Sequence, residues 1–177
     1  TTYASLGTYS YTGWSNDTSD NWNNTGPGTF QIVDTNVPVF SNVLDTPDPQ
    51  ENGGWVNITA DITDNVAVDE VWINVTNPDS SWNNVSMVQG AGNEWHYNTT
   101  YASLGTYSST VWSNDPSDNW NNTGPGTFQI VDTNVPVFST VLDTQDPQEN
   151  GGGGNITADL KDNVEVDEVW RNLKNPD

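Results

Sequence analysis

The chain contains no cysteine, so neither a disulfide framework nor a thiolate metal site is available to it. Its stability has to come from length, packing, bound ions or assembly. Three basic residues stand against 24 acidic ones, for a net charge of −21. That balance excludes nucleic acid, whose phosphates need Lys and Arg to neutralise them, and the same repulsion excludes an anionic membrane surface. No apolar run approaches the roughly 20 residues of a membrane helix, which argues against membrane insertion. No long segment carries a helical 3.6 period. The single histidine, His96, has no clustered His or Cys beside it. With every other feature repeated, an enzyme would need duplicate active sites, and no enzymatic activity is expected.

What is present is repetition. Residues 19–41, SDNWNNTGPGTFQIVDTNVPVFS, return unchanged at 117–139, and residues 1–79 align with 99–177 without a gap, about five positions in six being identical. The chain is therefore a repeat array with a period of 98 residues. Nine Trp, six Tyr and regular Val/Ile alternation supply apolar area for cores despite the many Asn, Thr, Ser and Gly residues. The period is phased by the break after TFQIV, where DTN leads into VPVFSNV. With that phase, 1–33 is the C-terminal part of one unit, 34–131 a complete unit, and 132–177 the N-terminal part of another. The chain starts in mid-repeat without a signal segment and is expected to be a mature protein or a portion of a longer one.

Within the complete unit, period-2 and β-branched runs predict seven strands, at 37–43, 56–63, 70–76, 81–87, 94–100, 105–114 and 127–131. Turn chemistry separates them: TPDPQENGG, DNVAVD, NPDS, QGAGN and the Gly124-Pro125-Gly126 loop. The fold class is all-β, and this strand count and spacing argue for tandem immunoglobulin-like (Ig-like) sandwiches of one repeat each.

The succession VDTNVPVFSNV, NITADITDNVAVDEVWINV and YASLGTYSYTGWSNDTSDNWNNTGPGTFQIVD resembles the tandem Ig-like domains of bacterial and archaeal surface proteins. In those a D-x-x-x-P opening, a D-N-V-x-V loop and a late D-x-S-x-N turn recur. The resemblance implies an extracellular or cell-surface location and a structural role. Leu104-Gly105-Thr106-Tyr107 and its copy Leu6-Gly7-Thr8-Tyr9 also resemble the tyrosine corner of that fold. Two residues later, where antibody domains have a cysteine, this chain has Ser109 and Tyr11, so its core must close differently.

An Ig-like sandwich brings its chain start, second-to-third strand loop and sixth-to-seventh strand loop to one pole. That placement would gather Asp34, Asp64, Asp69, Asp115 and Asp118 at the junction with the preceding unit. The repeat offset adds Asp132 and Asp162 at the following junction, and Asp17 and Asp20 in the preceding unit. Such convergence suits structural Ca2+, which takes six to eight oxygen ligands, and the resemblance implies the same, since some tandem surface repeats stiffen their junctions with this ion. The alternative is that these residues only form turns.

Eight N-x-Ser/Thr sequons, at Asn16, Asn23, Asn57, Asn74, Asn84, Asn98, Asn121 and Asn155, make N-glycosylation an expectation for an archaeal or eukaryotic source. Asn23, Asn84 and Asn121 are read as loop sites and Asn57 as mid-strand. The tryptophans Trp14, Trp22, Trp72, Trp82, Trp95, Trp112, Trp120 and Trp170 are expected as core or interface anchors, the alternative being a sugar-binding platform of a carbohydrate-binding adhesin with surface glycans as partners.

Between the copies, Trp55-Val56 becomes Gly153-Gly154, Thr63 becomes Lys161, Ile73 becomes Arg171 and Thr76 becomes Lys174. If Ile73 points inward, Arg171 cannot take the same site unpaired, so either that face is outward with Trp72 and Trp170 inward, or the last part-unit packs differently. The functional expectation is a structural repeat of a microbial cell surface. Its part-units would complement between molecules, head to tail, into a filament, stalk or surface layer of copies of itself.

Overall fold

The computed structural model describes residues 2–143 and 147–174. Residues 1, 144–146 and 175–177 of the two expected part-units lie outside the described residues. Strands and turns make up the described chain, with no helix among them. In order, β1 (Gly7–Tyr11), β2 (Trp14–Asn16), β3 (Trp22–Asn24) and β4 (Gly28–Ile32) precede the first linker. Then come β5 (Val39–Thr46), β6 (Gln50–Glu51), β7 (Trp55–Thr63), β8 (Glu70–Thr76), β9 (Trp82–Ser86) and β10 (Val88–Gln89). They are followed by β11 (Glu94–Thr100), β12 (Gly105–Asn114), β13 (Trp120–Asn122) and β14 (Gly126–Val131). After the second linker lie β15 (Val137–Asp143) and β16 (Ile156–Lys161).

Strands β5 to β14 form a β-sandwich. One sheet has the order β10-β11-β7-β5, and the other β6-β14-β12-β8-β9 with β13 added alongside β12. All neighbours are antiparallel except β6 and β14, which run parallel. The inner faces follow directly from the period of two. On β7 Val56, Ile58, Ala60 and Ile62 are buried while the residues between them are not. On β8 the same holds for Val71, Ile73 and Val75, and Tyr107, Val111, Phe128 and Ile130 complete the core from β12 and β14.

The core closes around aromatics rather than a disulfide. Tyr107 stacks on Phe128, with ring centroids 5.1 Å apart and planes at 11°, and Tyr101 meets Tyr107 edge-on at 4.6 Å. The Tyr107 hydroxyl donates to the Ser103 carbonyl at 3.0 Å, the bond a tyrosine corner requires. Gly105, just before it, has φ of +130° and lies against the Pro78 ring, a position where a side chain would be strained.

The first copy repeats this local geometry without the cover. Tyr9 stacks on Phe30 at 5.3 Å and 10°, and its hydroxyl donates to the Ser5 carbonyl at 2.9 Å. Yet β1 pairs only with β4 and β2 only with β3, and Tyr9 and Phe30 stay half-buried where Tyr107 and Phe128 are buried. Likewise β15 and β16 make a two-stranded sheet with Phe138, Val141 and Ile156 exposed.

The strands expected at 70–76, 94–100 and 105–114 occur with those limits. The first expected strand is shifted: it starts at Val39, because Pro38 has no N–H for a ladder and is buried in the linker instead. The short strands β6, β10 and β13 arise between the expected strands, because pairing with β14, β11 and β12 decides them rather than local propensity.

Ile73 faces the core, fully buried, and Trp72 faces out. The equivalent stretch around Arg171 forms no strand among the described residues, and Trp170 is 83% exposed. The last part-unit therefore packs differently, and the inward-Trp alternative falls away. Ile73→Arg is expected to cost the sandwich more than about 4 kcal/mol, while Trp72→Arg costs about 1 kcal/mol or less. Urea unfolding followed by Trp fluorescence measures both.

Candidate metal centre and inter-unit joint

The linker ahead of β5 is built into the pole of the sandwich that follows it. Asn65, in the β7–β8 loop, donates from Nδ2 to Asp34 Oδ1 at 3.1 Å, and the Asn36 N–H donates to the same oxygen at 3.1 Å. Asn119, from the turn between β12 and β13, donates to the Asp34 carbonyl at 3.2 Å, and Asn121 on β13 donates to the Pro38 carbonyl at 2.8 Å. Three loops thus converge on one pole, as the sequence order suggested.

They bring carboxylates with them. Asp34, Asp64 and Asp115 each place one oxygen within 4.8 Å of the others. Asp115 is fully buried and Asp34 is 9% exposed. Burial works against the charged form of Asp115, but hydrogen bonds from the Asn119 side chain and from the Asn119 and Ser117 backbone outweigh it and hold the carboxyl below the usual range. Those bonds are short, 2.7 Å from Asn119 Nδ2 and 2.8 and 2.9 Å from the Asn119 and Ser117 N–H groups. Asp64 Oδ1 accepts from the Val66 and Ala67 N–H groups at 2.8 and 3.2 Å. The remaining oxygens, Oδ2 of Asp34 and Oδ2 of Asp64, are buried without a hydrogen-bond partner.

Of the other expected ligands, Asp69 and Asp118 stand outside this group and are exposed. Asp69 gives its N–H to the Asn114 carbonyl, which anchors the start of β8. Asp118 has φ of +63° and closes the Asp115 turn by donating to the Asp115 carbonyl at 3.1 Å. Asp17 and Asp20 reproduce that turn in the first copy, where Asp17 accepts from Ser19 and Asn21 and Asp20 accepts from Asn16. In the last part-unit Asp132 Oδ1 accepts from the Asn134 N–H and Asp162 Oδ1 from the Val164 N–H, and Asp162 Oδ2 is again buried without a partner.

The second linker reveals a residue that sequence reading assigned to a turn. Glu51, on β6 at the opposite pole of the sandwich, accepts from Thr133 N and Oγ1, from Asn134 Nδ2 and from Asn163 Nδ2, at 2.8 to 3.3 Å. Asn163 is the repeat of Asn65, so one carboxylate holds both the linker and a loop of the next unit. The available signal was its retention as Glu149 within QENGG while Trp55-Val56 changed to Gly153-Gly154. The Thr133 hydroxyl, foremost among these donors, keeps the Glu51 pKa below the ordinary glutamate value.

The outer face of the larger sheet carries an open groove of about 420 Å3 lined by Trp72, Trp82, Trp112 and Trp120 with Glu70, Asn74 and Asn84. Trp72 and Trp112 are direct cross-strand partners, and Trp72 Nε1 donates to Glu70 Oε2 at 3.2 Å. Trp82, Trp112 and Trp120 are exposed rather than core, as are Trp14 and Trp22 in the first copy, while Trp95 packs against the core. His96 lies on β11, its Nδ1 3.9 Å from Glu94 Oε1.

Among the sequons, Asn16, Asn23, Asn84, Asn98 and Asn155 are exposed, and Asn57, Asn74 and Asn121 are partly buried in β7, β8 and β13. Asn23, Asn84 and Asn121 sit in short strands rather than loops, since edge pairing recruits them. The Asn121 amide is engaged with the Pro38 carbonyl.

No family model matches the chain, and no curated protein matches it in sequence. Among solved structures, it is similar to a Br derivative of BhCBM56 at 13% identity and a TM-score of 0.37, over 55% of this chain and 96% of that one.

Because the folded pKa of Glu51 is depressed, its hold on the joint is complete above the ordinary glutamate range and is lost as the pH falls through the lower folded value. Spin labels on Ser86→Cys and Thr140→Cys, free of competing natural cysteines, are expected to give a distance distribution that broadens in that acid window. With Glu51→Gln the distribution is broad already at neutral pH.

Proposed function

We propose that this chain is a non-catalytic structural repeat of a microbial cell surface, made of Ig-like sandwiches chained head to tail through fixed joints. Its partners are further copies of the same unit, and the product is an extracellular filament, stalk or surface layer. The strand order supports the Ig-like type: first, second and late strands share one sheet, and the last strand runs parallel to a short early one.

The observation that carries the reading is the Glu51 grip on Thr133, Asn134 and Asn163. A module on a loose tether gains nothing from a carboxylate tied into the next linker and the next unit's loop. An array with a set pitch depends on it. The half-covered rings of Tyr9 and Phe30 and the exposed Phe138 and Val141 add to this, since a neighbouring unit, on the same or another chain, would cover them. The acidic surface keeps such an array soluble. Exposed sequons at Asn16, Asn23, Asn84 and Asn98 suit an outward glycan coat, which intact mass of the native protein would register.

A second reading rests on the groove of Trp72, Trp82, Trp112 and Trp120. Indole faces flanked by Asn74, Asn84 and Glu70 suit a neutral sugar, which stacks its ring and bonds its hydroxyls, and this makes a carbohydrate-binding adhesin the rival.

Electron micrographs and small-angle scattering of the full chain over a concentration series separate the two. Rods one sandwich wide that lengthen with concentration are expected. A monomer with freely hinged ends at high concentration overturns the structural reading, and glycan-array binding abolished by Trp72→Ala and Trp112→Ala replaces it with the second.

A further inference from the structure

We infer that Asp34, Asp64 and Asp115 form a binding site for one hard divalent cation of the size of Ca2+, which locks the linker onto the pole of the sandwich that follows it. Three acids in proximity do not by themselves make such a site. The stronger observation is that Asp34, nine-tenths buried, uses Oδ1 for Asn36 and Asn65 and keeps Oδ2 buried with no partner. Asp64 does the same, with Oδ1 spent on Val66 and Ala67 and Oδ2 buried and bare.

A buried carboxylate oxygen without a donor is costly, and two of them in one acidic group are costlier. Among the described residues no Lys or Arg pairs with these oxygens, Lys161, Arg171 and Lys174 all belonging to the last part-unit. One part of the arrangement recurs: Asp162, the repeat of Asp64, carries the same orphaned Oδ2 beside its own Oδ1 turn.

Chemistry selects the ion. All donors are oxygen, with no Cys and no His among them, which suits Ca2+ or Mg2+ over zinc or copper. The donors come from three separate loops, which form a flexible cage of the sort Ca2+ tolerates and Mg2+ does not. Asn65 and Asn119 already lie against these carboxylates through their amide nitrogens, and half a turn of either amide would offer its oxygen. Water completes the shell.

The consequence for the joint rests on the structural reading above, but the ion is tested separately. Chelator-treated full chain is titrated with CaCl2 and with MgCl2 by calorimetry. One tight Ca2+ class is expected, at least tenfold stronger than Mg2+, with a higher melting temperature. Asp34→Asn and Asp64→Asn should each weaken it at least tenfold, while Asp61→Asn, outside the group, leaves it unchanged. Backbone amide shifts in the wild type, which need no variant to fold, should move around residues 34–36, 64–67 and 115–119.

Absence of a Ca2+ effect on wild-type melting, or amide shifts spread over the acidic surface, overturns the inference. A chain that binds no Ca2+ yet keeps its joints ordered removes the ion and leaves the structural reading standing. A chain that binds Ca2+ as expected but tumbles as freely hinged sandwiches keeps the ion and removes that reading.

Discussion

The contact between two inner sheet faces is the constraint on which everything else rests. Phe128 and Phe30 occupy the same sequence surroundings, each stacked on the tyrosine of its own corner in nearly the same geometry. Only Phe128 is buried, because only there do β7 and its neighbours lie across from it. Local sequence therefore sets the hairpin, the ring stack and the hydroxyl bond, and the second sheet supplies the burial. With no disulfide to substitute for that second sheet, a unit lacking it has corners and turns but no core.

The poles inherit their order from that core. Once β7, β8 and β12 are fixed, the loops between them are held at one end, and the amides of Asn65, Asn119 and Asn121 reach the linker. At the other end β6 pairs with β14 and presents Glu51 to the residues that follow. The one sandwich thus holds a linker at each of its two poles. The acidic composition, which from sequence alone could mean only solubility, includes Asp34 and Asp115, buried where the linker meets the sandwich.

Much of the fold was legible because alternation is a local signal: β8 carries it end to end, and β12 carries it from Tyr107 to Ser113. The short strands β6, β10 and β13 were not legible, since two or three residues hold no period and become strands only when a neighbour offers a ladder. The convergence of Asp34, Asp64 and Asp115 followed from strand order, but nothing in the letters separates them from Asp69 and Asp118. That distinction depends on which carboxylate turns inward, and Asp118 is committed to a left-handed turn position instead. Ile73 and Arg171 were legible as a conflict and not as an outcome, because the outcome is whether a second sheet forms around them.

The parallel pairing of β6 with β14 bears on how such a unit would respond to force. β6 lies near the start of the sandwich and β14 at its end, in register from Gln50 opposite Ile130 to Glu51 opposite Val131, with the Asn52 N–H bonded to the Val131 carbonyl at 2.8 Å. Pulling the two ends of the unit apart drives these parallel strands past one another along their length. Their hydrogen bonds are then loaded together in shear, whereas peeling from the side would open them one at a time.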